Sequence, residues 1–337
     1  MPSVTRRGLH ATGILVTVPT MRAAFASRFD DADPLAALTV GEQPEPTHWA
    51  DDWVTVRVLA SSLNHHDLWS LRGVGLGEDR LPMILGCDAV GVDPDGNEVV
   101  VYPVIADKGD PRGISLLSEH AQGTLAERVA VPRANLLPLP AGLSVTDAAC
   151  LPTAWLTAWR MLKTVGRVDE GDAVLVQGAG GGVATAAVAL ALAMGKRVYA
   201  TSRDAAKRER IAALGATAVA PGARLPERVD VVVETVGAAT FDHSLKSAAP
   251  MARIVVSGAT AGHEPKVNLR RIFAMQLQIL GTSMGTPDDM AQLLAFCAER
   301  EVRPVVDSVH PFSQVTEAFA RLHSGDVFGK VVVDHTR

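Results

Sequence analysis

The chain has little cysteine: three residues, Cys87, Cys150 and Cys297, stand far apart among 337. No CxxC pair and no even set at disulfide or metal spacing exists, so a disulfide framework and a four-cysteine zinc site are both excluded. A reducing cytoplasm is the expected compartment. Aromatic residues make up only 4%, two of them tyrosines, which argues against an aromatic-walled binding surface. No run approaches the roughly 18 uninterrupted apolar residues that a membrane-spanning helix needs. A net charge of -5 leaves no basic footprint for nucleic acid. No membrane and no nucleic-acid partner is expected.

What is present suits an α/β enzyme with a small-molecule substrate. The length and the 47% apolar content are enough for two globular domains with substantial cores. Abundant Ala, Val and Gly favour close packing of helices on a sheet. The first residues stand apart. Thr5-Arg-Arg-Gly-Leu9, followed by an apolar run from Gly13 to Val18, looks faintly like a twin-arginine export signal. The only small-residue cleavage pattern, Ala24-Phe-Ala26, lies inside the first strand-like run, however. Residues 1–20 therefore read as a disordered extension or an upstream start, and Met21 as the beginning of the fold.

From Trp53 to Val101 short β-rich runs such as Val54–Leu59 alternate with Gly/Pro/Asp punctuation, including Asp93-Pro-Asp-Gly96. This predicts a mostly antiparallel β domain over residues 21–150, completed by residues 286–337. Over residues 151–285 the texture changes. Strand-like runs at Ala173–Val176, Arg197–Thr201, Val229–Glu234 and Arg253–Ser257 alternate with helical stretches, which predicts a doubly wound parallel sheet. Beyond it come an amphipathic stretch from Asp288 to Arg300, Val305–Asp307, a helix around Ser313 to Leu322, and the terminal strand Lys330–Asp334.

The strand ending at Gln177 runs straight into Gly178-Ala-Gly-Gly-Gly-Val-Ala184 and then an Ala-rich helix from Thr185 to Met194. Glycines allow the tight turn and bring backbone N–H groups to a pyrophosphate at the positive end of the helix. Gly178, Gly180, Gly181, Gly182 and Val183 are thus predicted to bind a dinucleotide. An acidic residue ending the second strand would receive the ribose 2′-hydroxyl of NAD. Here that strand ends in Thr201-Ser-Arg203, with Lys207 a helical turn further on. Ser202, Arg203 and Lys207 predict the 2′-phosphate of NADP(H); the alternative is a solvated helix start in which Asp204 is merely the cap.

In order along the chain stand Asn64-His-His-Asp67 with Arg72-Gly73, Pro82-Met-Ile-Leu-Gly-Cys-Asp-Ala-Val-Gly91, Gly123-Thr-Leu-Ala-Glu127, Leu151-Pro-Thr-Ala-Trp-Leu-Thr157, the glycine turn, Leu214-Gly-Ala216 and Gly329-Lys-Val-Val332. Each is weak alone. Together, from Met21 to Val333, they resemble the medium-chain dehydrogenase/reductase superfamily, and within it the zinc-independent quinone oxidoreductase branch. The resemblance implies a GroES-like catalytic domain with a Rossmann domain inserted, and substrate in the cleft between them. It also places metal ligands of the zinc-using branch at Asn64, Cys87 and near Thr153, a set that predicts no metal. The cysteine-rich lobe of many relatives is replaced by the polar loop Asp107–Arg112.

By resemblance, Asn64 and Asp67 line or brace the cleft and Thr157 approaches the nicotinamide. Val236, Ser257, Gly258, Met284 and Lys330 match places where relatives touch the cofactor. His66 is the candidate hydrogen-bond donor, since the corresponding position in alcohol dehydrogenases carries a proton-relay hydroxyl. The bland readings are that Asn64 and Asp67 only fix loop geometry and that His65 or His66 are surface residues; His120, His243 and His263 read as surface or loop residues. Cys87 reads as packing in its turn, with a reactive thiol as the alternative, and Cys150 and Cys297 as core. Without a metal, reduction of a quinone or α,β-unsaturated carbonyl is the less demanding chemistry, because charge spreads into an enolate or hydroquinone anion. The alternatives are an alcohol or aldehyde dehydrogenase of the same superfamily and a non-catalytic NADPH-binding protein. The run Leu277–Leu280 resembles an edge strand through which relatives form homodimers.

Overall fold

The computed structural model describes residues 19–106, 113–168 and 172–337. The twin-arginine segment and the polar loop Asp107–Arg112 lie outside the described residues, as does all but the end of the expected extension. Thr20 already belongs to the first strand, Thr20–Ala26, which pairs antiparallel with Leu38–Pro44 and with Met83–Ile84.

A larger sheet forms the body of the catalytic half. Trp53–Ser62 lies at its centre and pairs antiparallel with Asp88–Val92, Arg128–Pro132 and the terminal strand Lys330–Asp334. Val306–Pro311 then joins the terminal strand in parallel. Residues more than 240 positions apart thus share one sheet, and the end of the chain closes the domain that its beginning opens. Trp53–Ser62 alternates in the middle, where Val56 and Val58 are buried on either side of exposed Arg57, and it becomes continuously buried toward Ser62, where both faces are covered.

The second half is a six-stranded sheet, parallel throughout, in the order Thr217–Val219, Arg197–Thr201, Ala173–Val176, Val229–Glu234, Ala248–Val256, Gln278–Gly281. This is the doubly wound order, with the first strand at the centre and the point of reversal beside it. Ala173–Val176 is buried on both faces. The helix Gly182–Ala193 lies close to the sheet because Ala184, Ala186, Ala187 and Ala191 present almost no side-chain bulk. One core cluster runs from Val90, Val100 and Tyr102 of the catalytic half through Leu156 and Met161 into Val174, Val198 and Val233. The two halves therefore share packing, and Tyr102 Oη donates to the Gly285 carbonyl across the junction at 2.8 Å.

Candidate active site

The loop after Trp53–Ser62 turns into the helix His65–Leu71 through a reciprocal cap. The Asp67 carboxylate accepts from the Asn64 backbone N–H at 2.8 Å, and the Asn64 side chain completes the box. The other Asp67 oxygen accepts from the Gly86 N–H at 2.9 Å, where Gly86 turns at φ +92°. Asp67 is fully buried, and burial raises its pKa against the lowering effect of His66 and these two amides. Its place is thus structural. It fixes the loop 62–67 against the turn 86–88.

Behind that loop lies a buried ammonium. Lys330 Nζ donates to Asn64 Oδ1 at 2.6 Å, to the Leu63 carbonyl at 2.8 Å and to Asp88 Oδ2 at 3.1 Å, and Lys330 is 2% exposed. The same Asp88 oxygen accepts from Ser62 Oγ at 2.6 Å and Asn64 Nδ2 at 2.9 Å. Both ends of the Asn64 amide are therefore committed within the protein.

The two histidines differ. His65 is solvent-accessible, yet burial of its surroundings and the Lys330 charge lower its pKa. His66 is half-buried; burial opposes its charge, but Cys87, Glu119 and Asp67 outweigh that and hold it well above its ordinary value. Its Nδ1 lies 3.5 Å from both Cys87 Sγ and Ser118 Oγ, and its Nε2 lies 3.3 Å from Glu119 Oε1. Cys87 is fully buried, donates to the Leu117 carbonyl, and is pushed up by burial with His66 pulling the other way. Ligand atoms of His66, Asp67 and Cys87 fall within 4.8 Å of one another. Cys150 and Cys297 are buried thiols pushed up to about 12 by desolvation, as core positions require.

In the parallel-sheet half, Gly178 turns at φ +68° and its N–H donates to Thr201 Oγ1 at 3.0 Å. A side chain there would collide with Val236. Gly181 then caps the helix that begins at Gly182, with Val183 part-buried in its first turn, and no acidic residue occupies that turn. The amide-rich end stays electropositive. Gly180 accepts from the Gly329 N–H at 2.9 Å, and Lys207 lies over it, its Nζ reaching the Gly325 carbonyl at 2.7 Å. Ser202 is buried at the strand end and Arg203 is exposed beside it. Arg208, which sequence reading passed over, donates to both their carbonyls. Asp204 does cap the next helix, accepting from the Lys207 N–H at 3.1 Å.

The remaining predicted contacts fall at the ends of neighbouring parallel strands. Val236 follows Val229–Glu234, Ser257 and Gly258 follow Ala248–Val256, and Met284 follows Gln278–Gly281; all four are partly accessible. Thr157, 6% exposed, donates its hydroxyl to the Thr153 carbonyl at 2.7 Å within a helix wound as π-turns at both ends. A network that the sequence did not suggest supports the strand ends. Gln177 accepts from Thr201 Oγ1 and donates to Ser244 Oγ, which donates to Glu234; Glu234 in turn accepts from the Val236 and Gly237 amides. His243 is part of it, 3.0 Å from Gln177 Nε2 and 2.8 Å from the Ala223 carbonyl, so the surface-or-loop reading is corrected to a part-buried position in the helix Phe241–Ser247.

Residues 50–141 match the family described as alcohol dehydrogenase GroES-like domain, and residues 209–333 match zinc-binding dehydrogenase. An acryloyl-coenzyme A reductase of Sulfurisphaera tokodaii is 28% identical over 333 residues, spanning 89% of this chain and 97% of its own. The crystal structure of an NAD-dependent alcohol dehydrogenase superposes with a TM-score of 0.82 at 34% identity, over 93% of this chain and 99% of its own. A 2-octenoyl-CoA carboxylase reductase, solved with NADP and 2-octenoyl-CoA, shares the fold at 24% identity with a TM-score of 0.84, over 94% and 87% of the two chains. With a GroES-like half, a doubly wound half and a relative this similar along its whole length, the chain belongs to the medium-chain dehydrogenase/reductase superfamily of nicotinamide-dependent oxidoreductases.

Proposed function

We propose that this protein is an NADPH-dependent reductase of α,β-unsaturated carbonyl compounds or quinones that works without zinc. The observation that carries the reading is the commitment of Asn64. Its amide oxygen accepts from the buried Lys330 ammonium and its amide nitrogen donates to Asp88. A zinc ion at the family's position would need Asn64, Cys87 and Thr153 as ligands beside that ammonium, and one thiol among them is a poor donor set. Asp67 already accepts one backbone amide on each of its oxygens. Asn64, Cys87 and Thr153 do not fit the metal.

When bound, the nicotinamide supplies the hydride. The chain's own residues position and shield. The Gly178–Val183 turn and the start of the helix Gly182–Ala193 receive the pyrophosphate, while Ser202, Arg203 and Lys207 receive the 2′-phosphate. Val236, Ser257, Gly258 and Met284 border the nicotinamide half, with Thr157 on the facing wall. Asn64, His66 and Asp67 brace the catalytic side, His66 in its charged form favouring negative charge in the acceptor, and water in the cleft returns the proton. An acceptor whose charge delocalises demands no Lewis acid. Full-length similarity to an acryloyl-coenzyme A reductase supports an activated alkene within this class.

A second reading, oxidation or reduction of a simple alcohol or aldehyde, is favoured by the 34% identity to an NAD-dependent alcohol dehydrogenase. Purified protein is assayed for oxidation of NADPH and NADH with EDTA present, over quinones, small enones, an enoyl thioester and simple aldehydes. Turnover of the conjugated acceptors with NADPH supports the proposal; turnover of aldehydes alone, abolished by EDTA, overturns it.

A further inference from the structure

Lys330 touches both halves of the site. Gly329, immediately before it, donates its N–H to the carbonyl of Gly180 in the glycine turn. The aliphatic stem then passes Gly182 so closely that a Cβ there would stand 2.9 Å from Lys330 Cδ and 3.1 Å from Ala154 Cβ. At its tip the ammonium has three acceptors, Leu63, Asn64 and Asp88, on the catalytic half. All three of its protons are used. Asn64 and Asp67 close the cap of the helix His65–Leu71, and Asp67 holds the turn at Gly86.

A buried charge cannot shift away from its counter-charge without leaving both uncompensated, so the Asp88 carboxylate must follow the ammonium. Asn64 lies between them and bonds to both. The Lys330 stem passes tightly against Gly182, while its own backbone is fixed as the start of the strand Lys330–Asp334. A displacement of the glycine turn is therefore passed to loop 62–67 through contiguous bonds, not through solvent. Asp88 Oδ1 is buried and has no partner among the described residues, which leaves the carboxylate held on one oxygen alone.

We infer that Lys330 is a positioning residue that couples occupancy of the glycine turn to the geometry of the catalytic loop, its ammonium organising Asn64 and Asp88 as an internal cation. This goes beyond cofactor contact and is independent of which acceptor is reduced. The role predicts that nucleotide bound at one half orders the other.

Hydrogen exchange of the full chain, with and without NADPH, reads this directly. In the native protein NADPH slows exchange in peptides covering both the glycine turn and loop 62–67, the latter by at least about fivefold, the lower end of ordinary site-to-site coupling. Lys330→Met leaves the Asp88 carboxylate stranded, so the double variant Lys330→Met/Asp88→Asn, with both charges removed, is the second arm. Expected there is retained protection of the glycine turn and lost protection of loop 62–67, with Lys330→Arg restoring it in part. Protection of loop 62–67 that survives in the double variant, or its absence in the native protein, overturns the coupling. Loss of NADPH binding altogether in the double variant also overturns it, since Lys330 would then be a cofactor ligand.

Discussion

His66 Nε2 stands 3.3 Å from Glu119 Oε1, joining the first helix of the catalytic half to the segment that follows the short strand Ile114–Leu116. Burial opposes the charged ring, but Cys87, Glu119 and Asp67 raise it well above its ordinary value. A raised pKa in the folded state contributes stability that is fully present below the unfolded value and is lost as pH rises through the folded one. Glu119→Gln removes one of the raising groups. The variant is expected to be less stable by about 1.5 kcal/mol below about pH 6, with the deficit shrinking as pH rises. Denaturant melts across pH, with the His66 ring resonances titrated in parallel, check this; a deficit that grows with pH would refute it.

Asp67 carries two backbone amides and no solvent. Asp67→Ala loses the cap of the helix His65–Leu71 and leaves the Asn64 and Gly86 N–H groups buried without acceptors. The cost is expected at about 3 kcal/mol, the sum of a lost cap and an unmade buried hydrogen bond. Equilibrium unfolding measures it. A loss below about 1 kcal/mol, within the range of an ordinary surface change, would mean that the loop relaxes without this carboxylate.

Gly178 adopts φ +68° with Val236 directly against it. Gly178→Val introduces both backbone strain and a collision at the cofactor turn. NADPH affinity, read by nucleotide fluorescence, is expected to fall at least about 30-fold, equivalent to about 2 kcal/mol. Unchanged affinity would place the nucleotide elsewhere.

Ser202, Arg203 and Lys207, at and just beyond the end of the strand Arg197–Thr201, are proposed to receive the 2′-phosphate. Ser202→Asp with Arg203→Ala is expected to cut kcat/KM for NADPH about 100-fold, as loss of charge-assisted hydrogen bonds implies, and to raise that for NADH. Parallel loss for both nucleotides would show that the pair supports the fold and does not read the phosphate.

Gln278–Gly281 is the last strand of the parallel sheet, and Ile279 on it is 42% exposed, close in sequence to Leu269 and Phe273, each 71% exposed. Among the described residues this edge is unpaired, and such an edge is expected to contact a second copy of the chain. Sedimentation should give a dimer for the native protein and a monomer for Phe273→Glu/Ile279→Lys. A native monomer at micromolar concentration would end that assignment.

Much of this architecture was legible in the residues alone. The runs Ala173–Val176, Arg197–Thr201, Val229–Glu234 and Lys330–Asp334 form strands with the expected bounds, because each has a β-rich, mostly buried centre that stands out from its flanks. The glycine turn was equally plain, since glycine adopts the positive φ of Gly178 and Gly180 without steric cost. Such signals are local. The sequence by itself therefore determined the order of the strands and helices, the glycine turn and the lack of a cysteine ligand set.

The identity of each side chain's partner was decided by tertiary structure. Lys330 meets Asn64 and Asp88 across sequence separations of 266 and 242 residues, and Glu119 meets His66 across 53. No periodicity encodes such pairs, because they depend on which strands neighbour one another and how two domains close. Gln177, Ser244 and Glu234 escaped notice for the same reason: each reads as an ordinary polar residue until the sheet brings their side chains together. The folded chain alone brings that buried ammonium to Asn64, in the loop where the resemblance had placed a metal.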